Sequence, residues 1–309
     1  MRALIVTNMY PTAGRPALGS FVRDQVDALR RIDGVDVDVF SFAPGGPETY
    51  VRAASELLRR HRHERFDVVH AHYGLSAWPA FGARGSVRAV TLHGTDLAHP
   101  RSRRITLAAL PFLDLVATVS EPLATEVPRW LVQGRRAVLP AGVDLTRFRP
   151  IPRPEARAAL GLVLEGPYLL FAADPTRPEK HYDRALLVAG NVPLLKLGQV
   201  NPAEVPLYVN AANAVLVPSA REGFGLAVLE ALACDVPVLA TPVGIHPTAL
   251  NAINGTYCGP FDRTAWRAAL APHLTDGDPR IQGRAAAERF STDRMAAQVV
   301  TAWHDLLTE

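Results

Sequence analysis

Short apolar runs alternate along the chain with stretches whose apolar residues recur every three or four positions. RALIVT, VDVDVF, FDVVHAH, VRAVTLH, LVATVS and AVLP have the length and composition of strands. Between them FVRDQVDALRRI, YVRAASELLRRHR and PLATEVPRWL carry the helical period. This alternation predicts a parallel sheet covered by helices on both faces. VDVDVF differs from the rest: Asp36 and Asp38 alternate with Val35, Val37 and Val39, the pattern of a half-exposed edge strand. A proline-rich break, FRPIPRPEARAAL, follows near residues 148–160, and a second alternation begins after it. YLLFAA, VPLLKLG, AVLVPS and VPVLAT read as its strands, AEVPLYVNA and FGLAVLEALA as its helices. The predicted fold class is therefore α/β, with two doubly wound, Rossmann-like lobes joined near residue 150. In such sheets ligands lie at the carboxyl ends of the strands, so those loops receive the closest reading.

The totals constrain the picture further. A chain of 309 residues, 48% hydrophobic, can build two cores. It has no apolar run of 18 residues, so no spanning helix is expected. MRALIVTNMYPTAGRP reads as a first strand and not as a signal peptide. The two cysteines, Cys234 and Cys258, suit a reducing compartment and argue against a disulfide framework or a cysteine-rich metal site. A cytoplasmic protein is expected. Residues 1–150 hold 20 Arg and no Lys against 14 acids, about +6, whereas residues 151–309 hold 13 basic residues against 16 acids, about −3. The basic half suits an anionic partner. Its densest run, LLRRHRHERF, is either a solvated helix face or a contact for an anionic membrane surface or lipid-linked phosphate. Few aromatics accompany these arginines, which argues against nucleic acid.

One stretch carries concentrated chemistry: REGFGLAVLEALACDVPVLATPVG, residues 221–244. A strand, AVLVPS, precedes it and a helix, FGLAVLEALA, starts within it. A helix start behind a glycine turn offers unpaired backbone N–H groups and the positive end of the dipole to a phosphate. Gly223 and Gly225 let a ligand approach the backbone closely. Glu222 can accept hydrogen bonds from hydroxyl groups held there. Glu230 interrupts the apolar helix face; its alternative is a solvent-facing position or a local ion pair. Asp235, in CDVP, stands where a left-handed helix cap is expected.

The stretch resembles the E-x7-E signature of the retaining glycosyltransferases of family 4, whose fold is GT-B. FAADPTRPEKHYDRA resembles the family's strand and loop with an Arg and a Lys, here Arg177 and Lys180. PALGS with FVRDQVDAL, HAHYGLSA, VTLHGTDL, ATVSEPLA and LPAGVDLTRFRP match first-lobe landmarks in the usual order, so the resemblance covers most of an unusually short chain. It implies a GT-B architecture with two lobes facing each other across a cleft. Residues 1–150 would form the acceptor-side domain and residues 151–290 the nucleotide-sugar domain. Residues 291–309 would close the fold as a helix returning to the first lobe.

The implied activity is a retaining, metal-independent transfer of a hexose from a nucleotide-diphosphate sugar, UDP- or GDP-linked, to a hydroxyl acceptor, with no cofactor. Glu222 would contact the donor sugar. The amides of Gly223, Phe224, Gly225 and Leu226 would hold the sugar and diphosphate, and Glu230 the ribose. Arg177 and Lys180 would neutralise the diphosphate, His93 would sit beside the donor sugar, and Gly19 near the diphosphate and acceptor. The acceptor, a carbohydrate, lipid or small molecule, is not named by any residue. A monomer or homodimer with peripheral contact to an anionic membrane is expected.

Several features bear on rival readings. His70 and His72 flank Ala71 at a strand end and suggest metal ligands, but no third ligand is placed, and alternation is expected to turn one of them into the core. Asp36 and Asp38 spell the D-x-D of metal-dependent transferases of another fold, though on an edge strand. Arg101, Arg103 and Arg104 suit either an acidic acceptor or an exposed helix start. Asp174 and Pro175 stand where the family more often has a Gly-Arg pair, CDVP replaces the commoner Cys-Gly, His246 occupies a usually glycine-rich loop, and base recognition falls around residues 197–200 in an abbreviated segment. These departures keep two alternatives open: an epimerase-like or phosphorolytic enzyme on the same scaffold, and a catalytically silent nucleotide-sugar-binding protein. A dehydrogenase is disfavoured because no G-x-G-x-x-G follows the first strand.

Overall fold

A computed structural model describes residues 1–198 and 200–309. The chain divides into two compact units, one made of residues 1–142 with 292–309, the other of residues 143–291. In the first unit the order is β1 (Arg2–Thr7), α1 (Ser20–Leu29), β2 (Asp36–Ser41), α2 (Pro47–Arg60), β3 (Phe66–His72), α3 (Ala77–Ala80), β4 (Gly85–Leu92), α4 (Thr95–Ala98), α5 (Pro100–Ala109), β5 (Leu115–Thr118), α6 (Glu121–Thr125) and β6 (Arg135–Val138). The second unit continues with α7 (Arg153–Ala159), β7 (Leu169–Phe171), α8 (Tyr182–Ala189), β8 (Leu194–Lys196), α9 (Val205–Ala211), β9 (Ala214–Val217), α10 (Leu226–Ala233), β10 (Val238–Ala240), α11 (His246–Ala249), β11 (Tyr257–Cys258), α12 (Arg263–Thr275) and α13 (Arg284–Glu288). The last helix, α14 (Thr292–Thr308), belongs to the first unit.

The first sheet is all parallel in the order β2-β1-β3-β4-β5-β6. Its central strands are buried on both faces, which is why β1 and β3 read as almost continuous apolar runs. β2 lies at the edge, where its exposed Asp36 and half-buried Asp38 meet water without cost to the core. Asp38 accepts from Arg2 Nη2 at 2.6 Å, so the second aspartate of the D-x-D serves an ion pair at the sheet edge. On one face, Val26 and Leu29 of α1 pack with Met295, Ala296, Val299 and Trp303 of α14 over Ala3, Ile5, Ala89 and Ala117. Alanines on the strands leave room for the helices to approach. Trp303 is wholly buried, and its loss to alanine would cost about 3–5 kcal/mol.

The second sheet, also parallel, runs β11-β10-β9-β7-β8. Leu169, Phe171, Val188, Leu216, Leu239 and Trp266 form its main core. The proline-rich stretch that reads as a break forms a short helix here, α7, with Pro154 in its first turn, where the missing N–H has no helical partner to lose. Two of its arginines are buried. Arg153 donates to the carbonyls of Ala212, Gly277 and Pro279 and pairs with Asp278 at 2.8 Å; burial lowers its pKa to about 10. Arg157 donates to the carbonyls of Ala211 and Leu164 and to Asn213 Oδ1. These guanidiniums satisfy carbonyls at the ends of α9 and the neighbouring loop, each of which would cost about 1–3 kcal/mol if buried unpaired.

Candidate functional site

Three loops leave the carboxyl ends of the adjacent strands β7, β9 and β10, and they are laced together by hydrogen bonds. Ala220 N donates to Glu179 O at 2.9 Å, Ile245 N to Phe224 O at 2.9 Å, and Thr241 Oγ1 to Ser219 O at 2.5 Å. Glu222 sits within this weave with its side chain only 11% exposed. Its Oε1 accepts from Lys180 Nζ at 2.5 Å and from Ser219 Oγ at 2.7 Å. Its Oε2 has no partner among the described residues. The carboxylate is thus fixed by one oxygen and presents the other.

The glycine turn after Glu222 leads straight into α10. Gly225 caps that helix with φ of 114°, and no side chain bonds the first amides. An added Cβ at Gly225 would stand 2.4 Å from Nε2 of His246, so the imidazole fills the space beneath the turn. His246 is wholly buried, and its Nδ1 lies 2.8 Å from Thr241 O. A carbonyl can only accept, so Nδ1 carries the proton and Nε2 keeps its lone pair. Burial lowers the His246 pKa and holds the ring neutral. The loop departure at residue 246 is therefore a packing solution: the ring supports the turn from below. Gly244, at φ 57°, is needed in turn because a Cβ there would meet Phe224 O at 2.2 Å. At the other end of α10, Asp235 adopts φ 55°, the left-handed cap, and its carboxylate accepts from the amides of Gly283 and Arg284. Glu230 lies in the second turn of α10, half-buried.

Lys180 and Arg177 occupy the β7 loop with different partners. Lys180 is 13% exposed and spends one of its three N–H donors on Glu222. Arg177 is half-exposed and forks onto Glu179 Oε1, Nε at 2.9 Å and Nη2 at 2.6 Å. Asp174, one of the departures, closes its own turn by accepting from Thr176 N and Oγ1. The structure thus joins Lys180 to Glu222 and leaves Arg177 on a separate ion pair. The segment expected to read the base includes residue 199, which lies outside the described residues.

Gly19 and His93 lie in the first unit. Gly19 caps α1 at φ 64°, with Met9 O where its Cβ would be, 2.2 Å away. His93 follows β4 and belongs to a ladder of imidazoles. His70 and His72 stack at 5.0 Å, His72 and His93 at 5.2 Å, and Phe21 lies 4.8 Å from the His93 ring. This corrects the expectation that one of the first two turns away from the core: residues two apart share a face, and both are buried. The hydrogen bonds assign the protons. Trp303 Nε1, a donor only, bonds His70 Nδ1 at 3.0 Å, so His70 Nε2–H donates to Thr91 Oγ1 at 2.8 Å. His72 Nδ1 lies 3.0 Å from His93 Nε2, and His72 Nε2 is buried without a partner. An orphaned lone pair is tolerated better than an orphaned N–H. His72 therefore donates through Nδ1, and His93 carries its own proton on Nδ1. Burial lowers the pKa of all three, that of His72 to about 3. Asp96 holds the loop, accepting from the amides of His93, Gly94 and Gly74. Among the described residues no three or more His, Cys, Asp or Glu form a metal-holding group.

Sequence reasoning missed Ser219 and Trp303, and it read His72 only as a possible metal ligand. Ser219 carries a signal, a polar residue two places after the end of the apolar strand β9; Trp303 carries none, because it lies 233 residues along the chain from His70.

Comparison with known proteins bears on this arrangement. Residues 18–147 match the family described as Glycosyltransferase Family 4, and residues 162–290 that described as Glycosyl transferases group 1. The D-inositol 3-phosphate glycosyltransferase of Mycobacterium avium (strain 104) is 30% identical over 295 residues, covering 78% of this chain and 69% of that protein. The chain belongs to glycosyltransferase family 4. Among solved structures, sucrose-phosphate synthase from Thermosynechococcus elongatus superposes with a TM-score of 0.77 at 22% identity, over 99% of both chains. HepE from Anabaena, solved with UDP and glucose, gives 0.71 at 17% identity, over 99% of this chain and all of that one. Both likenesses concern the fold: two Rossmann-like parallel-sheet units of a GT-B glycosyltransferase. The epimerase-like and silent-binder readings are not favoured by these matches. No helix among the described residues is long and apolar enough to cross a membrane.

Two outcomes follow for this family 4 enzyme. Gly225→Ala meets His246 and a left-handed backbone together, and is expected to lower stability by about 1–2 kcal/mol in urea unfolding. Adding His246→Gly should return part of that loss; an additive double variant would contradict the contact. The ladder sets a pH dependence. Neutral His72 keeps a pKa of about 3 in the folded chain against about 6.5 unfolded. The unfolded state therefore gains the proton first as pH falls, and stability present above pH 6.5 drains away toward pH 3. Between pH 6.5 and 5 this ring alone should remove about 2 kcal/mol. His72→Gln should flatten the slope accordingly, and an unchanged slope would refute the assignment.

Proposed function

We propose that the protein is a retaining glycosyltransferase that moves a hexose from a nucleotide-diphosphate sugar, UDP- or GDP-linked, to a hydroxyl acceptor without a metal ion. The observation that carries this reading is the carboxylate of Glu222, fixed through one oxygen by Lys180 and Ser219 beside the uncapped start of α10. Its other oxygen accepts from hydroxyls of the donor sugar. The amides from Gly223 through Phe224 and Gly225 to Leu226 hold sugar and diphosphate, and Glu230 accepts from the ribose. Lys180 has two N–H donors left for phosphate oxygens. Arg177 joins it by leaving Glu179, an exchange that costs little because half-exposed ion pairs are worth about 0–1 kcal/mol.

The chemistry needs positive potential in one place. As the glycosyl–phosphate bond lengthens, the electron pair goes to the diphosphate and positive character grows on the sugar ring. Two cations and a helix start, positive at that end, stabilise the leaving group in place of a metal. The acceptor hydroxyl attacks from the same face, and its proton passes to the departing phosphate oxygen. Configuration is then retained without a covalent enzyme intermediate. Turnover is accordingly expected to be unchanged by EDTA.

The test is thermal stability against UDP, GDP, ADP and TDP, with Glu230→Ala as control. A diphosphate at 100 times its dissociation constant should add about 2.7 kcal/mol to the folded state, and much less to the variant. No stabilisation by any of the four would overturn the donor-site reading. Proton NMR of the product should show the donor's anomeric configuration. An inverted product, or a sugar trapped on Glu222, would overturn the mechanism.

A further inference from the structure

Behind Glu222 the second unit holds an unbroken line of hydrogen bonds. His246 Nδ1–H donates to Thr241 O at 2.8 Å, Thr241 Oγ1–H to Ser219 O at 2.5 Å, and Ser219 Oγ–H to Glu222 Oε1 at 2.7 Å. A hydroxyl has one proton, and Thr241 Oγ1 stands farther from Val217 O, at 3.3 Å, so the carbonyl of Ser219 takes it. Ser219 is 1% exposed, Thr241 4% and His246 0%, so water does not compete for these donors. The line starts at the first residue of α11, passes through the loops after β10 and β9, and ends on the carboxylate oxygen that Lys180 also holds.

The β10 loop touches Glu222 a second way. An added Cβ at Gly244 would stand 3.0 Å from Glu222 Cβ, so the backbone there lies against the stem of the side chain. Glu222 and Lys180 also act electrostatically on the neutral His246 ring, in opposite directions. Charge and direction are thus divided between two sides of the carboxylate. Lys180 reaches it from the β7 loop, but an ammonium on a four-carbon stem acts as a point charge with rotatable donors. Ser219 reaches it on a short side chain, from a residue whose own carbonyl is held by Thr241.

We infer that Ser219, Thr241 and His246 are positioning residues of the donor site, which aim Glu222 at the donor sugar by fixing its bonded oxygen. The inference rests on the function proposed for Glu222 and adds three residues that act through it. His246 then has two tasks: its Nε2 edge fills the space beneath Gly225, and its Nδ1 edge anchors the line.

Two measurements on the full chain test this, the first without ligand. Thr241→Val removes the hydroxyl at nearly constant shape, and Glu222→Gln removes the charge on which the line ends. In a urea-unfolding cycle the double variant should lose less than the sum of the single losses, although no hydrogen bond joins the two side chains directly. Additive losses would overturn the inference. The second measurement is calorimetry with UDP and UDP-glucose, and with GDP and GDP-mannose. Ser219→Ala and Thr241→Val should bind the diphosphate as the wild type does, while the affinity added by the sugar falls about ten-fold. Thr241→Ser, which keeps the hydroxyl, should restore it. His246→Asn, whose amide can donate to Thr241 O, should retain more of it than His246→Leu. Equal losses for diphosphate and nucleotide sugar, or a Thr241→Ser as weak as Thr241→Val, would mark a packing role and overturn the inference. So would a wild type that gains nothing from either sugar. A wild type that binds neither diphosphate while the unfolding cycle stays coupled overturns the donor-site reading and not the line to Glu222.

Discussion

A carboxylate taken almost wholly out of water persists only where its oxygens are bonded, and Glu222 meets that condition through a single oxygen. The pair it makes with Lys180 draws the β7 loop to the β9 loop, and the β9 loop is tied to the β10 loop through Phe224, Thr241 and His246. Remove the pair and a buried charge stands alone at the junction of three strands. Everything proposed for the second unit depends on this one contact. It fixes one oxygen of the carboxylate, it uses one of the three ammonium donors, and it sets both groups beside a helix start.

The first unit solves a related problem with neutral groups. Three imidazoles lie where charge cannot be solvated, so all three stay unprotonated, and each proton is assigned by the neighbour. Trp303, on the last helix, fixes the proton of His70, and the unpartnered Nε2 of His72 fixes those of His72 and His93.

Much of this was legible in the sequence, and the parts that were not share a cause. The parallel strands announced themselves because burial on both faces demands continuous apolar residues, and β2 because an edge needs only one. Asp235 was legible as a left-handed cap because so few residues tolerate that conformation. The glycines at 223 and 225 and the glutamates around them pointed to the family, since a tight turn into a helix constrains neighbouring positions along the chain. What stayed hidden depends on residues far apart in the chain. The Glu222–Lys180 pair joins positions 42 apart, and His246 fits beneath Gly225 only once two loops are folded together. The shared face of His70 and His72 was within reach of strand period, but their burial was not, because the covering residue, Trp303, lies on the last helix. The proline-rich stretch hid α7, whose two buried arginines find carbonyls more than 50 residues away.

The most direct measurement is a double-mutant cycle on donor affinity, with Lys180→Met, Glu222→Gln and the two combined, read by calorimetry with the nucleotide sugar. If the two side chains act as one unit, each single change should lose most of the affinity. The double variant should then lose little more, giving a coupling above about 1 kcal/mol. Additive losses would contradict the account, because Glu222 and Lys180 would then meet the donor independently and their contact would be incidental.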